Sequence, residues 1–124
     1  MSRPKPTVAM TPEEIAAFLS ACANPAAVCV PDGKGGLVAR MARYQVGNGG
    51  IGNGQPVQGV NISRTGAAAD LPAGDGACVL VDTYPSYAGI CGAMLRGRLD
   101  VDGDEARLDA RHVSGFDFTK LKKS

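Results

Sequence analysis

The apolar positions of the chain recur with two different periods. Between residues 10 and 22, Ile15, Phe18, Leu19 and Cys22 fall at helical spacing and make one stripe. "MTPEEI" supplies the start of that helix, with Thr11 as N-cap, Pro12 at the first helical position and Glu14 closing a capping box. Met10 and Ile15 stand where a hydrophobic staple would. The helix should stop before Asn24-Pro25, because the residue preceding a proline disfavours helical backbone. Beyond it the apolar residues come in short runs divided by Gly, Pro, Asn and Asp. "AAVCV" (26–30), "LVARMARYQV" (37–46), "VQGVNIS" (57–63), "ACVLVDT" (77–83), "ICGAMLRGRLDV" (90–101) and "ARLDARHV" (106–113) read as strands. "PDGKGG" (31–36) and "DGDE" (102–105) read as tight turns. Along 37–46, Val38, Arg40, Ala42 and Tyr44 share one face; Leu37, Ala39, Met41 and Arg43 share the other. "AAAD" after Gly66 suggests a short helix stopped at Pro72. One helix followed by about six strands predicts a mainly β fold with minor α, a small antiparallel barrel. Residues 1–9, rich in proline and basic groups, read as an extended arm on a single domain spanning 10–124, and "DFTKLKKS" as a polar basic tail.

Composition narrows the functional classes. A chain of 124 residues suits one domain that needs no disulfide staples. Thirteen Lys+Arg against twelve Asp+Glu leave +1, so no global field steers the protein to nucleic acid or to an anionic membrane. No apolar run approaches the roughly 18–20 residues of a membrane span, and no signal peptide is recognisable. The expected location is cytoplasmic. Cys22, Cys29, Cys78 and Cys91 form no C-x-x-C, and His112 is the single histidine, so no metal site is expected. The thiols read as small buried hydrophobes in a reducing compartment. "GNGGIGNGQP" (47–56) has G-x-G spacing but lies between two strands, which makes it a loop rather than a dinucleotide fingerprint. There is no G-x-S-x-G elbow. His112 has no partner at a recognised spacing and reads as a surface strand residue.

The chemistry that remains centres on "NISRTGAAADL" (61–71). Ser63, Arg64, Thr65 and the Gly66 N–H suit an anion; capping the short following helix explains the same polar groups equally well. Arg40 and Arg43 face opposite ways, so at most one points inward. Arg40, which shares a face with Val38 and Val46, is the candidate, with a surface or dimer ion pair as the competing role of each arginine. Tyr84 and Tyr87 flank Pro85, and a tyrosine there suits stacking on a ring or covering the core edge.

The order of elements resembles the flavin-binding split-barrel family related to pyridoxamine 5'-phosphate oxidase. "MTPEEIAAFL" followed by "AAVCVPDGKGG" is similar to that family's opening helix and first hairpin. "ACVLVDTYPSYAGICGAMLRGRLDV" resembles its core strand, tyrosine-bearing linker and long strand, and "HVSGFDFTKL" its final strand. The resemblance implies a split barrel that usually forms a homodimer, with cofactor pockets at the subunit interface. It implies FMN, or a deazaflavin as in some relatives, and hydride transfer to a small organic substrate. The family's phosphate segment follows the third strand as Ser or Thr, a variable residue, then Lys. Here that place falls on Ser63-Arg64-Thr65 or on Thr65-Gly66-Ala67, and Thr65 or Ala67 replaces the lysine. On this resemblance Arg40, Ser63, Arg64, Thr65, Gly66 and Tyr87 are the cofactor-binding candidates. The absent lysine, the few aromatics and the shortened C-terminal half favour an alternative: a flavin-free split barrel that binds another small ligand or does non-redox chemistry.

Overall fold

The computed structural model describes residues 8–46, 57–83 and 91–117. Helix α1 (Pro12–Ala21) is followed by strands β1 (Ala26–Pro31), β2 (Leu37–Ala42), β3 (Tyr44–Val46) and β4 (Gly59–Ser63). A single 3-10 turn (Gly66–Ala68) then leads to β5 (Gly74–Asp82), β6 (Cys91–Asp102) and β7 (Glu105–Asp117). Local chemistry accounts for the entry to α1. The Glu14 N–H donates to Thr11 Oγ1 at 3.2 Å, and the Thr11 N–H donates to Glu14 Oε1 at 2.8 Å, which completes the predicted capping box. The turn after β1 is built in the same way. Asp32 Oδ1 accepts from the N–H groups of Lys34 and Gly36 at 2.7 and 3.0 Å, while Gly33 and Gly35 take positive φ values of 78° and 87°.

All seven strands form one antiparallel sheet in the order β2-β1-β5-β6-β7-β4-β3. Its two edge strands are consecutive in the chain and are separated by Arg43 alone. The run 37–46, predicted as one strand, therefore leaves β1 at Ala42 and joins β4 at Tyr44. The sheet curls until its edges meet there, and the Ser63 N–H donates to the Arg43 carbonyl at 2.9 Å. That bond satisfies one donor and one acceptor at the seam. The result is the mainly β split barrel that the pattern predicts. The "AAAD" segment makes only the one 3-10 turn, and β7 runs past Val113 to Asp117. Val8 and Met10 lie beside that extension: the Met10 N–H donates to the Gly115 carbonyl at 3.0 Å and the Asp117 N–H to the Val8 carbonyl at 2.7 Å. Residues 1–7, the glycine-rich connection 47–56, Tyr84, Tyr87 and the basic tail from 118 lie outside the described residues.

Side chains fill the barrel interior. Val28, Val30, Ile62, Val79, Leu95, Leu99 and Leu108 are fully buried, and among the described residues no polar or charged residue is buried. Ile15, Ala16 and Leu19 of α1 bury against this core. A small barrel packed in this way has no room for a ligand inside, so any binding site must lie on the outer surface.

Candidate functional site

The outer surface is organised by strand register. Glu105 on β7 is paired with Ser63 on β4, and Ser63 in turn bonds to the backbone of Arg43. Glu105, Ser63 and Arg43 thus form one row across three adjacent chain segments. Alternation points Arg43 outward along with Leu37, Ala39 and Met41, which are all exposed, while Val38, Arg40, Ala42 and Tyr44 are more buried.

Three adjoining hollows surround Arg43. One of about 390 Å³ is lined by Arg43, Tyr44, Asn61, Ser63, Asp104 and Glu105, among others. A second of about 190 Å³ is lined by Pro25, Met41, Ala42, Arg43, Ser63 and Thr65. A third of about 550 Å³ is lined by residues 22–25 with Arg43 and Tyr44. Arg43 is the wall they share. Its guanidinium has no ion pair or hydrogen bond among the described residues. Ser63 Oγ and Thr65 Oγ1 lie 3.0 Å apart and border the first two hollows. Thr65 makes no side-chain cap on the following 3-10 turn, so capping does not account for its hydroxyl. A guanidinium beside two hydroxyls is a donor set suited to a phosphate or carboxylate.

The other arginines named from the sequence are engaged elsewhere. Arg40 is half-buried and donates from Nε and Nη2 to the two carboxylate oxygens of Asp70, at 2.9 and 2.7 Å. The bonded guanidinium holds the Asp70 carboxyl below its ordinary range. Arg64 donates from Nε to the Leu71 carbonyl at 2.8 Å and from Nη1 to the Gly103 carbonyl at 2.7 Å. Arg64 thus ties the segment after β4 to the β6–β7 turn, while Ala68 and Leu71 of that segment bury in the core. Gly66 opens the 3-10 turn with a positive φ of 59°, and Tyr87 lies outside the described residues. Of the sequence candidates, the structure brings Ser63 and Thr65 together and adds Arg43 to them. Alternation had already separated Arg43 from Arg40. Arg40 is itself 37% exposed, and its pairing with Asp70, not a lack of open space, removes it from the site.

The remaining groups limit the chemistry. Tyr44 donates from its hydroxyl to the Leu19 carbonyl at 2.7 Å, and burial, followed by the nearby Cys22, pushes its phenol up to about 12. Burial, followed by Asp117, pushes the Cys91 thiol up to about 11. Burial and the neighbouring Cys29 raise Cys78, with Arg96 opposing them. Cys78 and Cys91 therefore stay protonated at neutral pH and are poor nucleophiles. All four cysteines are free and half-buried. His112 is exposed on β7 opposite Arg96. Among the described residues no group of three or more His, Cys, Asp or Glu side chains is placed to hold a metal ion, and no helix is long and apolar enough to cross a membrane.

Fold and site together define a split barrel whose polar hollow lies on its outer wall, at the point where the sheet edges meet. Comparison with solved structures finds the structure of the FAD binding protein from Mycobacterium smegmatis, with a TM-score of 0.64 at 14% sequence identity. The match covers 89% of this chain and 96% of that one. At that identity the likeness carries the fold. No family model matches the chain, and no curated protein matches it in sequence.

Proposed function

We propose that the chain binds a flavin on the outer wall of the barrel, with the flavin's phosphate held by Arg43, Ser63 and Thr65. The observation that carries this reading is the Arg43 guanidinium, unpartnered among the described residues, at the wall common to three hollows next to the Ser63–Thr65 hydroxyl pair. The fold shared with an FAD binding protein supports it. FMN is the expected cofactor, with a deazaflavin as the related choice. When bound, the flavin supplies hydride transfer to or from a small organic substrate, while the protein orients both and excludes water. Arg43 would anchor the phosphate, since a guanidinium stays charged at any working pH and offers forked donors. Arg40, Arg64 and Gly66 contribute indirectly in this reading, by fixing the segment that carries Thr65. Tyr87 remains a candidate for stacking on the ring. A homodimer formed through the apolar outer face beside Met41 would roof the hollows.

A flavin-free barrel that binds another small anion is the second reading. It is favoured by the bonding of Arg40 and Arg64 to protein groups, which leaves Arg43 as the one cation lining the hollows among the described residues. The visible spectrum of the purified protein, followed by FMN and deazaflavin titrations, separates the two. The flavin reading expects binding that weakens about tenfold or more in Arg43→Gln, the loss of one charge-assisted contact, at unchanged Tm. A colourless protein that ignores both cofactors at high micromolar concentration would leave the flavin-free reading.

A further inference from the structure

The charges around the hollow differ from those beside it. On the same outer wall, Arg98 pairs with Asp100 at 2.9 Å and Arg107 with Asp109 at 3.1 Å. These pairs are two residues apart on one strand and so share a face. Arg96 and Arg111, exposed on β6 and β7, have no such pair among the described residues, and neither do the charges at the hollow. Arg43, Asp104 and Glu105 all line it, and none of the three has an ion pair or side-chain hydrogen bond among the described residues. The charges are also sorted in space. Glu105 and Arg43 lie on opposite sides of Ser63 in one row, two strand spacings or about 10 Å apart. The hollow of about 190 Å³, with Arg43, Ser63 and Thr65, has no carboxylate in its wall among the described residues. The hollow of about 390 Å³ has both.

We propose that the site takes its ligand in one fixed polarity. The anionic group sits at Arg43, Ser63 and Thr65, and hydroxyl or amino donors of the same molecule face Asp104 and Glu105. The ligand class this selects is a phosphorylated polyol or sugar, of which the ribityl phosphate of FMN is one member. The proposal rests on the reading of Arg43 as the anion-holding group. A bare anion gains only the Arg43 end and is repelled by the carboxylates. A phosphate carrying a hydroxylated chain gains from both ends, because ionised carboxylates are pure acceptors. Asp104 and Glu105 therefore act as specificity residues: they penalise inorganic phosphate and reward the hydroxylated ester.

The test compares three probes by isothermal titration: inorganic phosphate, D-ribose 5-phosphate and FMN. They are measured on the full chain and on Glu105→Gln and Asp104→Asn. Both positions are exposed, and the Tm of each variant verifies that the fold is kept. The expected result is that wild type binds ribose 5-phosphate more tightly than phosphate. Glu105→Gln should weaken the sugar phosphate about tenfold while binding phosphate equally or more tightly. Variants that bind all three probes as wild type does, or that bind the sugar phosphate more tightly, overturn the fixed polarity, as does a wild type that binds neither sugar phosphate nor FMN. The two proposals fail separately. Sugar phosphate binding that depends on Glu105 without FMN binding rejects the flavin alone. FMN binding that ignores both carboxylates rejects the polarity alone.

Discussion

The outer wall of the barrel has two unlike halves. Across β2, β1, β5 and the first part of β6, the outward rows read Ala39–Cys29–Cys78–Arg96 and Met41–Ala27–Leu80–Met94, apolar but for Arg96 at the end of the first. Leu37, Met41 and Met94 in this half are 68%, 54% and 38% exposed. Across the rest of β6, β7 and β4, the rows read Arg98–Asp109 and Asp100–Arg107–Asn61. Both halves enclose the same aliphatic interior, so closure of the barrel explains neither outside. What differs is how each meets water. In the charged half Arg98 and Arg107 pair with carboxylates of the same wall. The apolar half keeps Leu37, Met41 and Met94 exposed, which is the kind of surface a partner would cover. Arg43 stands where the two meet, with apolar Met41 on one side and polar Gln45 on the other.

The strongest test of this division is at its junction on β6. The register with β7 shifts between Arg96 and Gly97, where the apolar rows give way to the charged ones. A Cβ on Gly97 would collide with the Asp109 carbonyl, which is backbone and cannot turn aside. Gly97→Val should lower stability by about 3 kcal/mol or more, read by thermal or urea unfolding. A variant as stable as wild type would show that the junction tolerates a side chain.

Next in size is the apolar half itself. Met41→Asp places a charge in the middle of the proposed homodimer face and should weaken association roughly a hundredfold, read as the fall in mass by light scattering across a dilution series. Gln45→Asp, on the other side of Arg43, should leave the mass unchanged. Equal effects from the two substitutions would erase the distinction between the halves.

The smallest effect concerns the interior that both halves share. Tyr44→Phe removes the donor to the Leu19 carbonyl at the end of α1 and should cost about 1 kcal/mol. Its pH dependence has a definite sign. The folded phenol titrates near 12 against an ordinary 10.0, so the unfolded chain ionises first. Stability should be level below pH 10 and fall as pH rises from 10 toward 12. Tyr44→Phe should remove that part of the slope in an alkaline unfolding series.

Much of the architecture was legible because its causes are local. Thr11, Pro12 and Glu14 determine the helix start whatever lies elsewhere, and Asp32 with its glycines determines the first turn. The alternation along 37–46 correctly separated two faces. The switch at Arg43 was not legible, since neither Gly nor Pro interrupts "LVARMARYQV" and only the partners of its two halves differ. The same gap hid the site. Ser63 and Thr65 stood out as hydroxyls after a strand, but the cation beside them comes from a segment twenty residues earlier. Arg64, adjacent in sequence, is turned to the carbonyls of Leu71 and Gly103.

From sequence alone follow one capped helix, short alternating strands, tight turns and a chain without a steering charge, because periodicity and turn chemistry act over a few residues. Tertiary structure alone decided which strands became the edges and that they meet at Arg43. It also decided that Arg43, rather than Arg40 or Arg64, is left unpaired at the hollow, because these outcomes depend on pairings between distant segments and on a filled interior that sends any ligand to the outer wall.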